Sequence, residues 1–491
     1  MRRRASVFIA VACATIALGL TSVPASAAGT QCGRPDLTPR TLMGCVNLAE
    51  VRAHQRAFQE IADANGGNRF SGLPGYDASV DYVVGRLEAA GYDPVIQAFD
   101  YLAWAALGPS ALEQTAPTPT TYVEGEDFEV LQQSDPGDVT ASVTAVDLQL
   151  GLGNTSSSGC EGSDFTGFPA GNIALIQRGS CTFEQKVENA SAAGAVGAVI
   201  FNQGNTAGED RQGVGVFTLG ATNTSGIPAV FVSYTQGVEF SQTAGLRVRI
   251  FANTIREIKE TYNVLADTNS GDDGNVVVVG AHLDSVGRGP GINDNGSGSA
   301  AILEVAEQIR NVEPTNTVRF AWWGAEESGL VGSNFYVGGL TAAEKADIAL
   351  YLNFDMIGSP NYVRFIYDGD GSAFGLAGPA GSGAIEELFE DLYAAKGLAS
   401  APTEISFRSD YAAFFNNGIP FGGLFTGAEG IKTAAQAAVY GGTAGEQYDP
   451  CYHEACDTFR NNSNEVLHLN SDAVAFATLT YAIDTSTVTG P

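Results

Sequence analysis

Histidine is scarce in this chain, with four in 491 residues. Basic residues are also few: Lys and Arg number 25 against 55 Asp and Glu, for a formal charge of −30. That balance excludes nucleic acid as a partner and argues against binding to anionic membranes. No CxxC spacing occurs, which argues against thiolate zinc sites. There is no internal repeat, and beyond the N-terminus no stretch is apolar enough to span a membrane.

The N-terminus is read as a secretory signal peptide. Arg2, Arg3 and Arg4 form its basic region, an apolar run follows over 7–20, and Ala25-Ser26-Ala27 offers a cleavage site. The mature protein is then exported and free of the membrane, with a formal charge near about −33 once those three arginines are gone. Cys13 leaves with the signal, and Cys32, Cys45, Cys160, Cys181, Cys451 and Cys456 remain. An even count in an exported chain points to disulfides. Many connectivities are open to six cysteines. The sequence-local one, Cys32–Cys45, Cys160–Cys181 and Cys451–Cys456, is expected because each pair lies within one segment.

The length allows two or three domains. Residues 48–102 read as α/β. Apolar residues recur at helical spacing over 48–64, ahead of Gly66-Gly67. A second amphipathic helix over 78–90 stops at Gly91, and 92–101 alternates like a strand. After Trp104 the texture becomes linker-like, with Pro109, Pro117 and Pro119 among several threonines. From 122 to 252 the chain is rich in Gly, Val, Thr and Ser, with short strands, one helix over 182–193 and no histidine. This segment reads as a separate non-catalytic module. From 258 onward strands and helices alternate, and the strands over 275–280, 317–323 and 348–354 are nearly continuous apolar runs. Such runs are expected where a sheet is covered on both faces.

Five short stretches end in residues able to bind a metal: His282-Leu283-Asp284, Asp294-Asn295, Glu326-Glu327, Asn353-Phe354-Asp355 and Tyr452-His453. Taken singly, each has an ordinary explanation. An HxD can be a hydrogen-bonded pair, Glu-Glu a patch of surface charge, and an Asp after a strand a helix cap. Together they differ, because three follow predicted strands. In open α/β sheets ligands bind beyond the carboxyl ends of the strands. Imidazole and carboxylate donors suit zinc, and a carboxylate can bridge two ions.

The motifs Gly280-Ala281-His282-Leu283-Asp284-Ser285, Asn293-Asp294-Asn295-Gly296-Ser297-Gly298, Ala325-Glu326-Glu327-Ser328-Gly329, Asn353-Phe354-Asp355-Met356, Arg408-Ser409-Asp410 and Cys451-Tyr452-His453-Glu454-Ala455-Cys456-Asp457 carry a resemblance. The chain resembles the secreted two-zinc aminopeptidases of metallopeptidase clan MH, of the bacterial leucyl-aminopeptidase type, over 48–102 and 258–485. The middle segment is similar to the protease-associated domain inserted in several members, through Gly159-Cys160 and Ile176-Gln177-Arg178-Gly179-Ser180-Cys181-Thr182-Phe183. The resemblance implies a three-layer α/β/α exopeptidase domain with a mixed central sheet and a β-rich insert. The expected divisions are 1–27 for the signal, 28–122 for the first part of the peptidase domain, 123–252 for the insert and 253–491 for the main part.

The resemblance also implies roles. His282 and Asp355 would hold one zinc, Glu327 and His453 the other, and Asp294 would bridge them. Glu326 would be the general base and then the acid, Asp284 would fix the His282 ring, and Tyr452 would hydrogen-bond the oxyanion. Arg408 would organise the amino-terminus site. Met356 and Phe425 would line the pocket for the first side chain. Phe407, which stands where the family commonly has glycine, bears on the size of that pocket. A stabilising calcium is implied without assigned ligands. The expected substrates are peptides and proteins with free N-termini, cut after a leucine-like residue by a monomer. Two other readings share the motifs: a glutamate carboxypeptidase-like or cyclase relative on the same scaffold, and an inactive binding protein.

Overall fold

The computed structural model describes residues 32–490; the signal-peptide reading lies outside them. Two eight-stranded sheets organise the chain. The first runs in the order Val95–Ala106, Thr254–Asp267, Asn316–Trp323, Asp272–His282, Ile348–Phe354, Phe421–Phe425, Phe365–Tyr367, Ala401–Thr403. Its central four strands are parallel, and antiparallel pairings enter on both sides of them. It is the mixed central sheet that the resemblance implies.

Side-chain alternation explains why this sheet is buried on both faces. Val277, Val279 and Trp322 enter one core, with the helices Leu48–Ala64, Pro74–Ala90, Gly296–Ile309 and Asn464–Ile483. Val276, Val278 and Trp323 enter another, with the helices Val331–Gly339 and Tyr411–Phe415. The Ile348–Phe354 strand is buried at every position.

The helices begin and end where local chemistry allows. Asn47 caps Leu48–Ala64 by accepting the Ala49 amide, and the Ala62 carbonyl takes the amides of Asn65 and Gly67 beyond its end. The next helix begins at Pro74, four residues before the expected start. Proline suits a first helical turn because its missing N–H would be unpaired there. Gly91 ends it in the left-handed region, at φ +93°.

The second sheet is inserted into a two-strand ribbon. Val95–Ala106 and Thr254–Asp267 pair along their whole length, from Val95 opposite Leu265 to Ala106 opposite Thr254. The chain leaves at the top of this ribbon and returns there. The insert's sheet begins at Ala111, ahead of the expected boundary at 123. The proline-bearing stretch read as linker contains two strands, Ala111–Ala116 and Thr120–Tyr122, at one edge of that sheet. Pro109 precedes the first of these strands, and Pro117 and Pro119 fall in the turn between the two, so none of them has to donate to the sheet. Disulfides join Cys32 to Cys45, Cys160 to Cys181 and Cys451 to Cys456.

A buried arginine connects the ribbon side of the fold to the loop after His282. Arg69 is fully buried, and its guanidinium donates to the carbonyls of Pro290 at 2.9 Å, Gly291 at 2.7 Å and Leu283. Burial pulls its pKa down to about 10, against the raising influence of Asp284, Asp457 and Asp294. Arg69→Met leaves those carbonyls without their donor and is expected to cost roughly 3 kcal/mol of stability, read as a lower urea midpoint with unchanged slope.

Candidate metal centre

The three parallel strands Asp272–His282, Asn316–Trp323 and Ile348–Phe354 end at one edge of the sheet. His282 is the last residue of the first, Glu326 and Glu327 follow the second, and Asp355 follows the third. Asp294 comes from the loop that opens the Gly296–Ile309 helix. Asn295 holds this loop against the third strand, capping the helix through the Gly298 amide at 2.9 Å and donating to the Phe354 carbonyl at 2.9 Å. Gly298 is required at this approach: a Cβ there would sit 2.1 Å from the Phe354 carbonyl oxygen.

These elements bring all five expected ligands together. Asp294 directs one oxygen to each histidine, Oδ1 to His282 Nε2 at 3.2 Å and Oδ2 to His453 Nε2 at 3.3 Å. His282 Nε2 also lies 3.3 Å from Asp355 Oδ1, and His453 Nε2 lies 3.0 Å from Glu327 Oε2. Two donor clusters result, His282–Asp294–Asp355 and Asp294–Glu327–His453, with their donor atoms within 4.8 Å of one another. They share Asp294. Glu326 Oε2 stands 4.0 Å from His282 Nε2.

The surroundings hold these groups in place. Asp457 accepts the amides of Asn293 at 2.8 Å and Asp294 at 2.9 Å. Ser409 donates to Asp355 Oδ2 at 2.7 Å. Asp284 does more than was expected of it. Its Oδ1 lies 3.5 Å from His282 Nδ1, and its two oxygens also accept the amides of Glu326 and Glu327. One buried carboxylate thus ties two ligand-bearing strand ends together. The backbone is left-handed at Ala325, Met356 and His453, at φ +54°, +50° and +60°. These positions precede Glu326, follow Asp355 and carry a histidine, so strain collects where side chains must be aimed.

The electrostatics demand positive charge. Burial works against a charged His282, yet Asp355 and Glu326 overcome it and hold its pKa well above the imidazole range. Burial likewise opposes charge on His453, but Glu327 and Asp294 lift it to about 11. Burial raises the Glu326 carboxyl well above its usual range, although His282 pulls it down. Burial also pushes Asp410, behind the site, up to about 7. Glu327 Oε1 and Asp355 Oδ1 are buried without a hydrogen-bond donor. Nitrogen and carboxylate donors with free lone pairs in an acidic pocket fit zinc-like cations.

A cavity of about 320 Å³ opens over these candidate donors. Met356 and Phe425 line it, joined by Phe365, Tyr367, Tyr411 and Tyr448, aromatic residues that carried no motif in the sequence. Arg408 lies at its edge, paired with Glu429 at 2.7 Å and donating to the Tyr452 hydroxyl at 3.2 Å. Tyr452 stacks on His453, with ring centroids 3.8 Å apart. Phe407 departs from expectation. Its ring packs edge-on against Phe415, 4.9 Å between centroids, and is absent from the described lining. Its backbone explains this, because φ +59° turns the side chain away from where an extended residue would point. Glu429, Ser409 and Asp457 were not singled out by sequence reasoning. Ser409 and Asp457 fall inside the quoted motifs but offered no spacing signal of their own.

An acidic cleft with two imidazoles, set at the carboxyl ends of a parallel sheet, defines a metal-dependent hydrolase of the α/β/α kind. The comparisons agree. The peptidase family M28 model matches residues 263–478, and the PA domain model matches residues 139–240. An aminopeptidase of Pseudomonas aeruginosa is 56% identical over 451 residues, covering 92% of this chain and 84% of that protein. Leucine aminopeptidase 2 of Trichophyton equinum is 40% identical over 455 residues, covering 91% and 87%. Among solved structures, an aminopeptidase from Aneurinibacillus sp. strain AM-1 is 25% identical with a TM-score of 0.60, covering 90% of this chain and 95% of that one. A zinc aminopeptidase from Bacillus subtilis, 23% identical with a TM-score of 0.59, shares the fold over 88% of this chain and 94% of its own. The chain belongs to peptidase family M28, as an aminopeptidase with a PA domain inserted ahead of its catalytic part.

Asp457→Ala releases the two amides that shape the Asp294 loop. It is expected to weaken metal binding about ten- to a hundredfold, measured by competition with a chromophoric chelator, while the far-ultraviolet circular dichroism is unchanged.

Proposed function

We propose that this protein is a secreted two-zinc aminopeptidase that removes large apolar N-terminal residues from peptides and proteins. The observation that carries the reading is Asp294, whose two oxygens face two different histidines, each with its own second carboxylate. His282 and Asp355 would hold one ion, Glu327 and His453 the other, and Asp294 both. Zinc supplies Lewis acidity at such a site, polarising a carbonyl oxygen and acidifying water.

The side chains do the rest. Glu326 reaches the same pocket beside the donors and is the general base, taking a proton from water and passing it to the leaving amine. Its raised pKa suits a group that must hold that proton between the two steps. The Tyr452 hydroxyl, held by Arg408 and aimed by the stack on His453, is the hydrogen-bond donor to the developing oxyanion. Met356, Phe365, Phe425 and Tyr367 form an apolar and aromatic recess for the first side chain.

The acidic surroundings favour a free amino terminus over a terminal carboxylate. Arg408 is the single Lys or Arg among the described lining residues, and Glu429 already pairs with it. Arg178 and Arg211, two of the basic residues of the insert, bond within the insert to Asn202, the Asp210 carbonyl and Gln203. The three disulfides suit an oxidising compartment outside the cell. No described helix is long and apolar enough to cross a membrane.

Glu326→Gln is expected to keep its zinc while kcat on leucyl-p-nitroanilide falls by about 10²–10⁴; full turnover by the zinc-loaded variant rejects the role. Chelation should abolish hydrolysis of a free-amine peptide, with recovery on adding zinc. The N-acetylated form of the same peptide should resist cleavage throughout, and its cleavage from the carboxyl end would favour the carboxypeptidase-like reading.

A further inference from the structure

We propose that His54, Glu304 and Glu307 form a further metal site, distinct from the cleft, that takes one divalent zinc-like cation and braces two helices. His54 lies on Leu48–Ala64, and Glu304 and Glu307 share one face of Gly296–Ile309 at a spacing of three residues. Their side chains are 1%, 1% and 14% exposed. One atom from each stands within 4.8 Å of the others.

The ring nitrogen makes the case. His54 Nδ1 bonds the Tyr82 hydroxyl at 2.8 Å, which fixes the ring. Nε2 is buried with no hydrogen-bond partner. It faces Glu304 Oε2 and Glu307 Oε1, both at 3.9 Å. That separation is too long for a hydrogen bond. Two donors on one zinc ion at tetrahedral angles stand about 3.4 Å apart, so side-chain shifts of about 0.5 Å would close the site.

The neighbours leave the required lone pairs free. Glu304 Oε1 accepts the Asn47 amide and Gln308 Nε2, while Oε2 points to His54. Arg86 grips Glu307 at 2.7 and 2.6 Å and holds the carboxylate in its orientation. Each carboxylate oxygen keeps a second lone pair. One imidazole with two carboxylates selects a cation of the zinc type over calcium or magnesium, which prefer all-oxygen sites. Glu307, with the greatest exposure of the three, provides the way in.

The site would matter to the cleft through the scaffold. Glu304 lies about 12 Å along its helix from Gly296, at 1.5 Å per residue. Gln55, next to His54, donates to the Ile292 carbonyl at 2.9 Å, in the loop that carries Asp294. An ion between the two helices would therefore clamp the helix that opens at that loop.

The test uses the full chain and zinc as the probe. After saturation with zinc and gel filtration, His54→Gln is expected to carry about one equivalent less metal than the wild type. His453→Ala should keep that equivalent. In zinc-soaked wild-type crystals, an anomalous peak at the zinc edge is expected between His54 Nε2 and the two carboxylates, and it should vanish in His54→Gln while the peaks in the cleft remain. Equal zinc content in wild type and His54→Gln, or water density without anomalous signal at this position, overturns the proposal. If His54→Gln does not fold, the wild-type anomalous map decides alone.

Discussion

Everything around the cleft answers to one electrostatic problem: four carboxylates and the His282 imidazole are held together largely out of water, with the half-exposed His453 ring at their rim. Asp294, Glu326 and Asp355 are each under a tenth exposed, and His282 is 1% exposed. Bringing like charges together in a low-dielectric place is costly unless opposite charge is added. The carboxylates accordingly raise the pKa of both His282 and His453, favouring their charged forms against the opposing effect of burial. Divalent cations held there would supply more charge at fewer points. The chain invests its buried hydrogen bonds accordingly. Asp284, Asp457 and Ser409 pin the segments that bear the candidate ligands, and do not neutralise them.

The same problem explains the backbone. A ligand at a strand end must turn from the sheet direction toward a common point. Left-handed residues at Ala325 and Met356 lie at such turns, and His453 takes the same conformation in its own loop. The surrounding hydrogen bonds, and the Arg69 guanidinium under the 283–291 loop, supply the rigidity that keeps such conformations populated. Rigidity has a second benefit, because catalytic groups a fraction of an ångström out of place lose much of their effect.

The insert attaches differently. It hangs from the ribbon formed by Val95–Ala106 and Thr254–Asp267, and reaches the peptidase part through few polar contacts. Trp104 donates to the Ser134 carbonyl, Arg256 pairs with Asp135, and Arg288 pairs with Glu124. Arg288 lies in the same loop that Arg69 supports, four residues beyond Asp284. The position of the insert and the shape of the cleft therefore share one stretch of backbone.

Local pattern determined much of this protein. The fully apolar strand Ile348–Phe354 and the capped helix Leu48–Ala64 were legible because periodicity and capping act over a few residues. Three of the candidate ligands, His282, Glu327 and Asp355, were legible as polar groups ending apolar strands, while Asp294 and His453 were marked by family motifs, which also supplied the expected roles. The stretch after Trp104 misled because prolines mark linkers and the turns between short strands alike, and only the pairing of Ala111–Ala116 with Arg247–Ala252 distinguishes them. Phe407 misled because its neighbours in sequence say nothing of a φ of +59°. The aromatic wall of Phe365, Tyr367, Tyr411 and Tyr448 was silent, since the strand Phe365–Tyr367, Tyr411 and Tyr448 lie on separate segments that meet only when the chain folds. The sequence by itself determined which residues can bind, bridge and transfer protons, because those are properties of side chains. Tertiary structure alone decided that one Asp294 carboxylate faces two histidines 171 residues apart in the chain, because distance in space depends on strand order and helix packing, not on separation along the sequence.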